Sequence, residues 1–159
     1  PERAPPARRG GHMTLVLDSR HATAMRRHGE ADYPAEACGL IGGALEGDRK
    51  VVIQLVPLAN QRTDAARNRY LIDPESFRRA QEKLERDGLE VIGVYHSHPD
   101  HPPMPSAFDR EHAWPWLSYV ITGVAQGRAG EMKSWVLAEG REAFDEESIT
   151  IEERKVVWQ

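Results

Sequence analysis

A chain of 159 residues and 17.9 kDa, 40% apolar and 29% charged, fits one ordinary domain with a sizeable core and is too apolar for intrinsic disorder. Its net charge of -4 and pI near 6.0 give no global attraction to nucleic acid or anionic lipid. Cys38 is the only cysteine, which excludes an intrachain disulfide and any zinc site built on two thiolates, and a reducing, cytoplasmic compartment is expected.

Pro1 to His12 are rich in Pro, Arg and Gly without a large apolar side chain. They are expected to be a disordered extension or a cloning remnant, with the domain running over 13–159. Neither a run of about eighteen apolar residues nor the apolar core of a secretory signal is seen, so a membrane partner is not expected. Thr14 to Leu17 reads as a short strand, and Ser19 to His28 as a helix with Ser19 as N-cap and Gly29 as stop. The apolar runs Cys38 to Leu45 and Lys50 to Leu58 flank Glu46-Gly47-Asp48, whose turn chemistry predicts an antiparallel hairpin. Asp73-Pro74-Glu75 opens a second helix with Asp as cap and Pro in first position, its apolar face being Phe77, Ala80 and Leu84.

Asp87-Gly88 ends that helix, and Leu89 to Tyr95 reads as a strand leading straight to a group of histidines. After a proline-rich loop, Ser106 to Ala113 makes a short helix, and Leu117 to Gly123 and Lys133 to Leu137 read as strands. Ser148 to Trp158 is expected to be a last strand, preceded by Asp145-Glu146-Glu147 as a solvated turn. Trp114, Trp116, Trp135 and Trp158 read as core or rim packing. Interleaved helices and strands with one hairpin predict a single α/β domain, a mixed curved β-sheet flanked by helices.

The segment from His96 to Asp109 concentrates metal-ligand chemistry among prolines at 99, 102, 103 and 105. Alternate residues of a strand share a face, so His96 and His98 can converge on one ion while Ser97 points away. Two imidazoles and the Asp109 carboxylate would leave the fourth corner of a tetrahedral zinc site open, as catalytic sites require. The prolines limit the entropy lost in holding Asp109 near the pair. Ser106-x-x-Asp109 is equally a helix capping box, and His101 and His112 are rival ligands that spacing does not exclude.

His-x-His, seven residues, then Ser-x-x-Asp resembles the signature of the JAMM metallopeptidases, also called the MPN-plus or Mov34 family. Upstream, Pro34-Ala35-Glu36-Ala37-Cys38-Gly39-Leu40-Ile41-Gly42 is similar to the family segment that carries its catalytic glutamate. Pro57-Leu58-Ala59-Asn60, Arg69 to Pro74 and Tyr119-Val120-Ile121 are similar to bacterial members, so the likeness runs from about Met13 to Leu137. The resemblance implies a cytidine-deaminase-like architecture and one Zn2+ per chain on His96, His98 and Asp109. It also implies Glu36 as general acid/base and Ser106 as oxyanion donor. His101 and His112 receive no role from it, and Cys38 is read as a small buried hydrophobe.

By the same resemblance the substrate is the amide after a C-terminal Gly-Gly of a ubiquitin-like or sulfur-carrier protein, and the chain is like the compact bacterial subgroup. The rival readings are a small-molecule amidase, a non-catalytic MPN-type binding module and a DNA-associated protein of RadC type. A nucleobase deaminase would need His-x-Glu and Pro-Cys-x-x-Cys, which a single cysteine rules out.

Overall fold

The computed structural model describes residues 13–60 and 73–153. The expectations for Pro1 to His12, for Arg69 to Ile72 and for the Trp158 end lie outside them. In chain order the elements are β1 (Thr14–Leu17), α1 (Ser19–Asp32), β2 (Cys38–Glu46), β3 (Arg49–Leu58), α2 (Pro74–Arg86), β4 (Glu90–Pro99), α3 (Ala107–His112), β5 (Ser118–Ala125), β6 (Arg128–Leu137) and β7 (Phe144–Ile151). The sheet is mixed and curls until its ends meet, in the order β1-β3-β2-β4-β5-β6-β7, with β1 parallel to both β3 and β7. Closure of this kind removes the exposed edge strands that a flat sheet would present. The antiparallel hairpin of β2 and β3 forms as the sequence indicates, and β4 and β5 run parallel.

Each face of the sheet carries its own apolar cluster. One gathers Leu15, Leu17, Ile41, Val52, Ile92 and Val120 with Ala22 and Met25 of α1. The other gathers Leu40, Val94, Tyr119 and Leu137 with Ala80 and Leu84 of α2 and Phe77 beside them, so the expected face of α2 is the one buried. Trp116 and Trp135 are half-buried against this second cluster, whereas Trp114 stands at the surface. Among the described residues no helix is long and apolar enough to cross a membrane.

Three local readings are corrected. Asp18 and not Ser19 caps α1, accepting from the Arg20 amide in a capping box completed by His21. Gly29 does not stop the helix, which continues to Asp32; it is buried where a Cβ would lie 3.1 Å from Val124 and 3.2 Å from Ser97. A glycine there lets α1 approach β4 and β5 closely. Asp145-Glu146-Glu147 is no turn, because β7 begins at Phe144 and Glu147 is buried.

Glu147 meets the buried Lys50 ammonium at 3.2 Å and accepts from Ser118 Oγ at 2.6 Å and Ser134 Oγ at 2.9 Å. Lys50 also donates to Ser118 Oγ at 2.8 Å, so one buried polar network ties β3, β5, β6 and β7 together. An acidic run on its own favours water; a cation supplied by β3, far upstream in the chain, is what lets Glu147 turn inward. Removing one partner of such a buried pair strands the other charge. Lys50→Ala is therefore expected to cost about 3–5 kcal/mol in urea denaturation, and the double replacement Lys50→Met with Glu147→Leu much less.

Candidate metal centre

Leu40 faces Val94 across the β2–β4 ladder and Cys38 faces His96, so Val94, His96 and His98 lie along the face of the second cluster. The strand does not end before the histidines but carries them to Pro99, which fixes both side chains on a rigid element. His96 is fully buried and His98 nearly so. His98 Nδ1 lies 2.9 Å from Pro102 O; a carbonyl can only accept, so Nδ1 carries a hydrogen and Nε2 is the nitrogen turned toward the cluster.

Gly123 sits opposite His98 in the β4–β5 pairing. A Cβ there would lie 3.3 Å from His101 O, so the glycine admits the proline-rich loop across β5. Trp135 Nε1 donates to Pro103 O at 2.9 Å and pins that loop from the other side.

The loop delivers α3, only six residues long and too short to stand alone. Its N-terminus is held by the capping box: Ser106 Oγ accepts from the Asp109 amide at 3.1 Å, and Asp109 Oδ2 accepts from the Ser106 amide at 2.7 Å. At its C-terminus the Arg141 guanidinium donates to the carbonyls of Ala113, Arg110 and Glu111 at 2.8, 3.0 and 3.1 Å. Capping and metal ligation are thus not alternatives for Asp109. The same buried carboxylate that caps α3 lies 3.3 Å from His96 Nε2 through Oδ1 and 3.4 Å from His98 Nε2 through Oδ2.

His96, His98 and Asp109 form the one group of this kind among the described residues that could hold a metal ion. Their donor atoms are separated by 3.2 Å between the imidazoles and by 3.3 and 3.4 Å to the carboxylate. Ligands at about 2.0–2.1 Å on the corners of a tetrahedron stand about 3.3–3.4 Å apart, so the imidazole pair has the spacing of two zinc ligands, with the carboxylate reaching one nitrogen through each of its oxygens. His101 is exposed in the loop, and His112 turns outward, its Nδ1 at 2.9 Å from Phe108 O and its ring stacked on Phe108.

Electrostatics follow from burial and pairing. Desolvation holds His96 below the ordinary histidine value despite the pull of Asp109. Desolvation opposes protonation of His98 too, but hydrogen bonds to Asp109 and Pro102 prevail and raise it. Burial alone would raise Asp109, yet the two imidazoles and the Ser106 amide hold it well below the usual carboxylate range.

Glu36 precedes β2 by two residues and is buried. Ser97 N donates to Ala37 O at 3.0 Å, which extends the pairing toward Glu36 and brings it level with His98. Its charge is felt at both His98 and Cys38. The Cys38 thiol is fully buried and pushed up to about 12, first by burial and then by Asp32 and Glu36, so it stays protonated at neutral pH. Ser106 is exposed at the rim. The supporting contacts of Trp135 and Arg141 carry no signal in local spacing, because each closes between segments far apart in the chain.

A closed mixed sheet with a buried two-histidine, one-carboxylate cluster at a strand end, and a further carboxylate beside it, has the form of a metallohydrolase domain. The family described as prokaryotic homologs of the JAB domain matches residues 18–138, and the chain belongs to it. It is 38% identical over 112 residues to a desampylase of Haloferax volcanii, covering 69% of this chain and 78% of that one. A Thermus thermophilus protein named as a TtuB-protein conjugate cleaving protease is 36% identical, with 84% of each chain covered. A CysO-cysteine peptidase of Mycobacterium tuberculosis is 26% identical over 92% of this chain and 97% of its own. A solution structure of a Desulfitobacterium hafniense protein superposes with a TM-score of 0.77 at 31% identity, covering 89% of this chain and 94% of that one.

Asp109→Ala is expected to abolish stoichiometric zinc binding, while His101→Ala and His112→Ala retain it. Elemental analysis after dialysis against a weak chelator checks this, and equal loss in His101→Ala would transfer the ligand role to the loop.

Proposed function

We propose that the chain is a zinc-dependent peptidase or isopeptidase that hydrolyses the amide after a C-terminal Gly-Gly of a ubiquitin-like or sulfur-carrier protein. The observation that carries this reading is the buried His96-His98-Asp109 cluster, with the buried Glu36 next to the residue whose carbonyl accepts from Ser97 between the two histidines. Relatives named for removing or cleaving such conjugates support the substrate class. Cys38 as the only cysteine agrees with a cytoplasmic setting.

His96, His98 and Asp109 would hold zinc, which when bound acts as a Lewis acid on a carbonyl and lowers the pKa of water to about 7. Glu36 takes the proton from the attacking water and returns it to the leaving amine, so one carboxylate serves as base and then acid. Because Ser106 Oγ accepts from the Asp109 amide, its own hydroxyl hydrogen remains available to donate to the oxygen that gains charge in the transition state. Glycines at the carrier terminus allow an extended chain to come close to this backbone without a side-chain clash.

Glu36→Gln preserves volume but cannot accept the water proton; turnover should fall about 10²–10⁴-fold with fold and zinc content retained. Near-normal turnover would move the base elsewhere. Mass spectrometry of a panel of Gly-Gly-terminated carrier fusions should place the cut directly after the second glycine. A bulky residue at that position should slow cleavage far more than any change on the amine side. Efficient hydrolysis of small amides with every fusion left intact would favour an amidase instead.

A further inference from the structure

The peptide group between Glu36 and Ala37 lies just before β2, where the sheet ladder has not yet begun. Its two polar atoms are nevertheless both held, and by side chains. Asn60 Nδ2 donates to Glu36 O at 3.1 Å, and Ala37 N donates to Ser97 Oγ at 2.9 Å. Ser97 is buried, its hydroxyl on the face opposite the imidazoles of His96 and His98 and packed beside Gly29 of α1. A carboxylate side chain swings about its own Cα, and the orientation of that Cα is set by the peptide planes on either side. Clamping this plane therefore fixes where the Glu36 side chain starts.

We infer that Ser97 and Asn60 are positioning residues for the Glu36 carboxylate: they grip the Glu36–Ala37 peptide from opposite ends, and Ser97 ties it to the strand that carries the two histidines. The alternation of β4 makes this possible, since one residue between two cluster histidines must face the other side of the sheet. A single strand thereby sets both the imidazole pair and the backbone of the acid/base residue, so their separation is fixed by one rigid element. The inference rests on the reading of Glu36 as proton carrier given above.

Two variants and a double variant test it. Ser97→Ala keeps the Cβ against Gly29 but deletes the acceptor of the Ala37 amide; Asn60→Ala, at a half-buried position, removes the donor to Glu36 O. Hydrogen exchange at the Ala37 amide should accelerate at least about tenfold in Ser97→Ala, whether or not metal is bound. On a ubiquitin-like carrier ending in Gly-Gly and fused to a reporter peptide, each variant should lose about 10–100-fold in kcat. KM should stay within about twofold and zinc content should not change. In single-turnover assays the Ser97→Ala loss should vanish on a Glu36→Gln background, because a base that is gone cannot be misplaced. An unchanged Ala37 exchange rate would overturn the clamp. So would near-normal kcat in both single variants, or an equal fold-loss on the Glu36→Gln background, which would mark a general structural role. If the wild-type protein leaves the fusion uncut, the peptidase reading fails instead, and the exchange measurement still decides whether the clamp exists.

Discussion

The centre depends on how the negative charge of Asp109 is held inside the protein. An isolated buried carboxylate would cost several kcal/mol even after relaxation. Here it accepts from the Ser106 amide at 2.7 Å and faces two imidazoles at 3.3 and 3.4 Å, so its charge is stabilised and its pKa falls. Those contacts require α3 to exist, and a six-residue helix exists only because both its ends are satisfied. The capping box serves one end and the Arg141 guanidinium the other. Stability of the helix and construction of the cluster are therefore one problem with one solution.

The sheet supplies the other half. β4 is buried along nearly its whole length between β2 and β5, so the two histidines cannot drift in register without moving the core face of Val94 and Leu40. Closure through β1 and β7, with the buried Lys50–Glu147 network tying four strands, makes the sheet one body. The two histidines are thus mounted on a closed sheet tied by a buried ion pair.

Much of this was legible in the sequence, for identifiable reasons. Metal ligation demands particular side chains at particular spacings, and strand alternation converts His-x-His into a shared face without knowledge of the rest of the fold. The hairpin of β2 and β3 and the Asp73-Pro74 start of α2 rest on local turn and cap chemistry, which residues a few positions apart express. The cap of α1 is a local choice between the adjacent Asp18 and Ser19, whereas the other two corrections depend on distant partners. Gly29 looked like a helix stop because nothing local reveals that Val124 and Ser97 press against it. Asp145-Glu146-Glu147 looked solvated because Lys50 lies far upstream. Glu36 stands out in the sequence by resemblance alone, and among many carboxylates it is the Ser97–Ala37 backbone bond, one step beyond the β2–β4 ladder, that brings its backbone toward His98.

The most direct test of the centre is X-ray absorption at the zinc edge on the metal-loaded protein. The geometry predicts a first shell of nitrogen and oxygen at about 2.0–2.1 Å, with outer-shell scattering from two imidazoles and no sulfur. A sulfur ligand at about 2.3 Å, or scattering from three or more imidazoles, would contradict the assignment of the site to His96, His98 and Asp109.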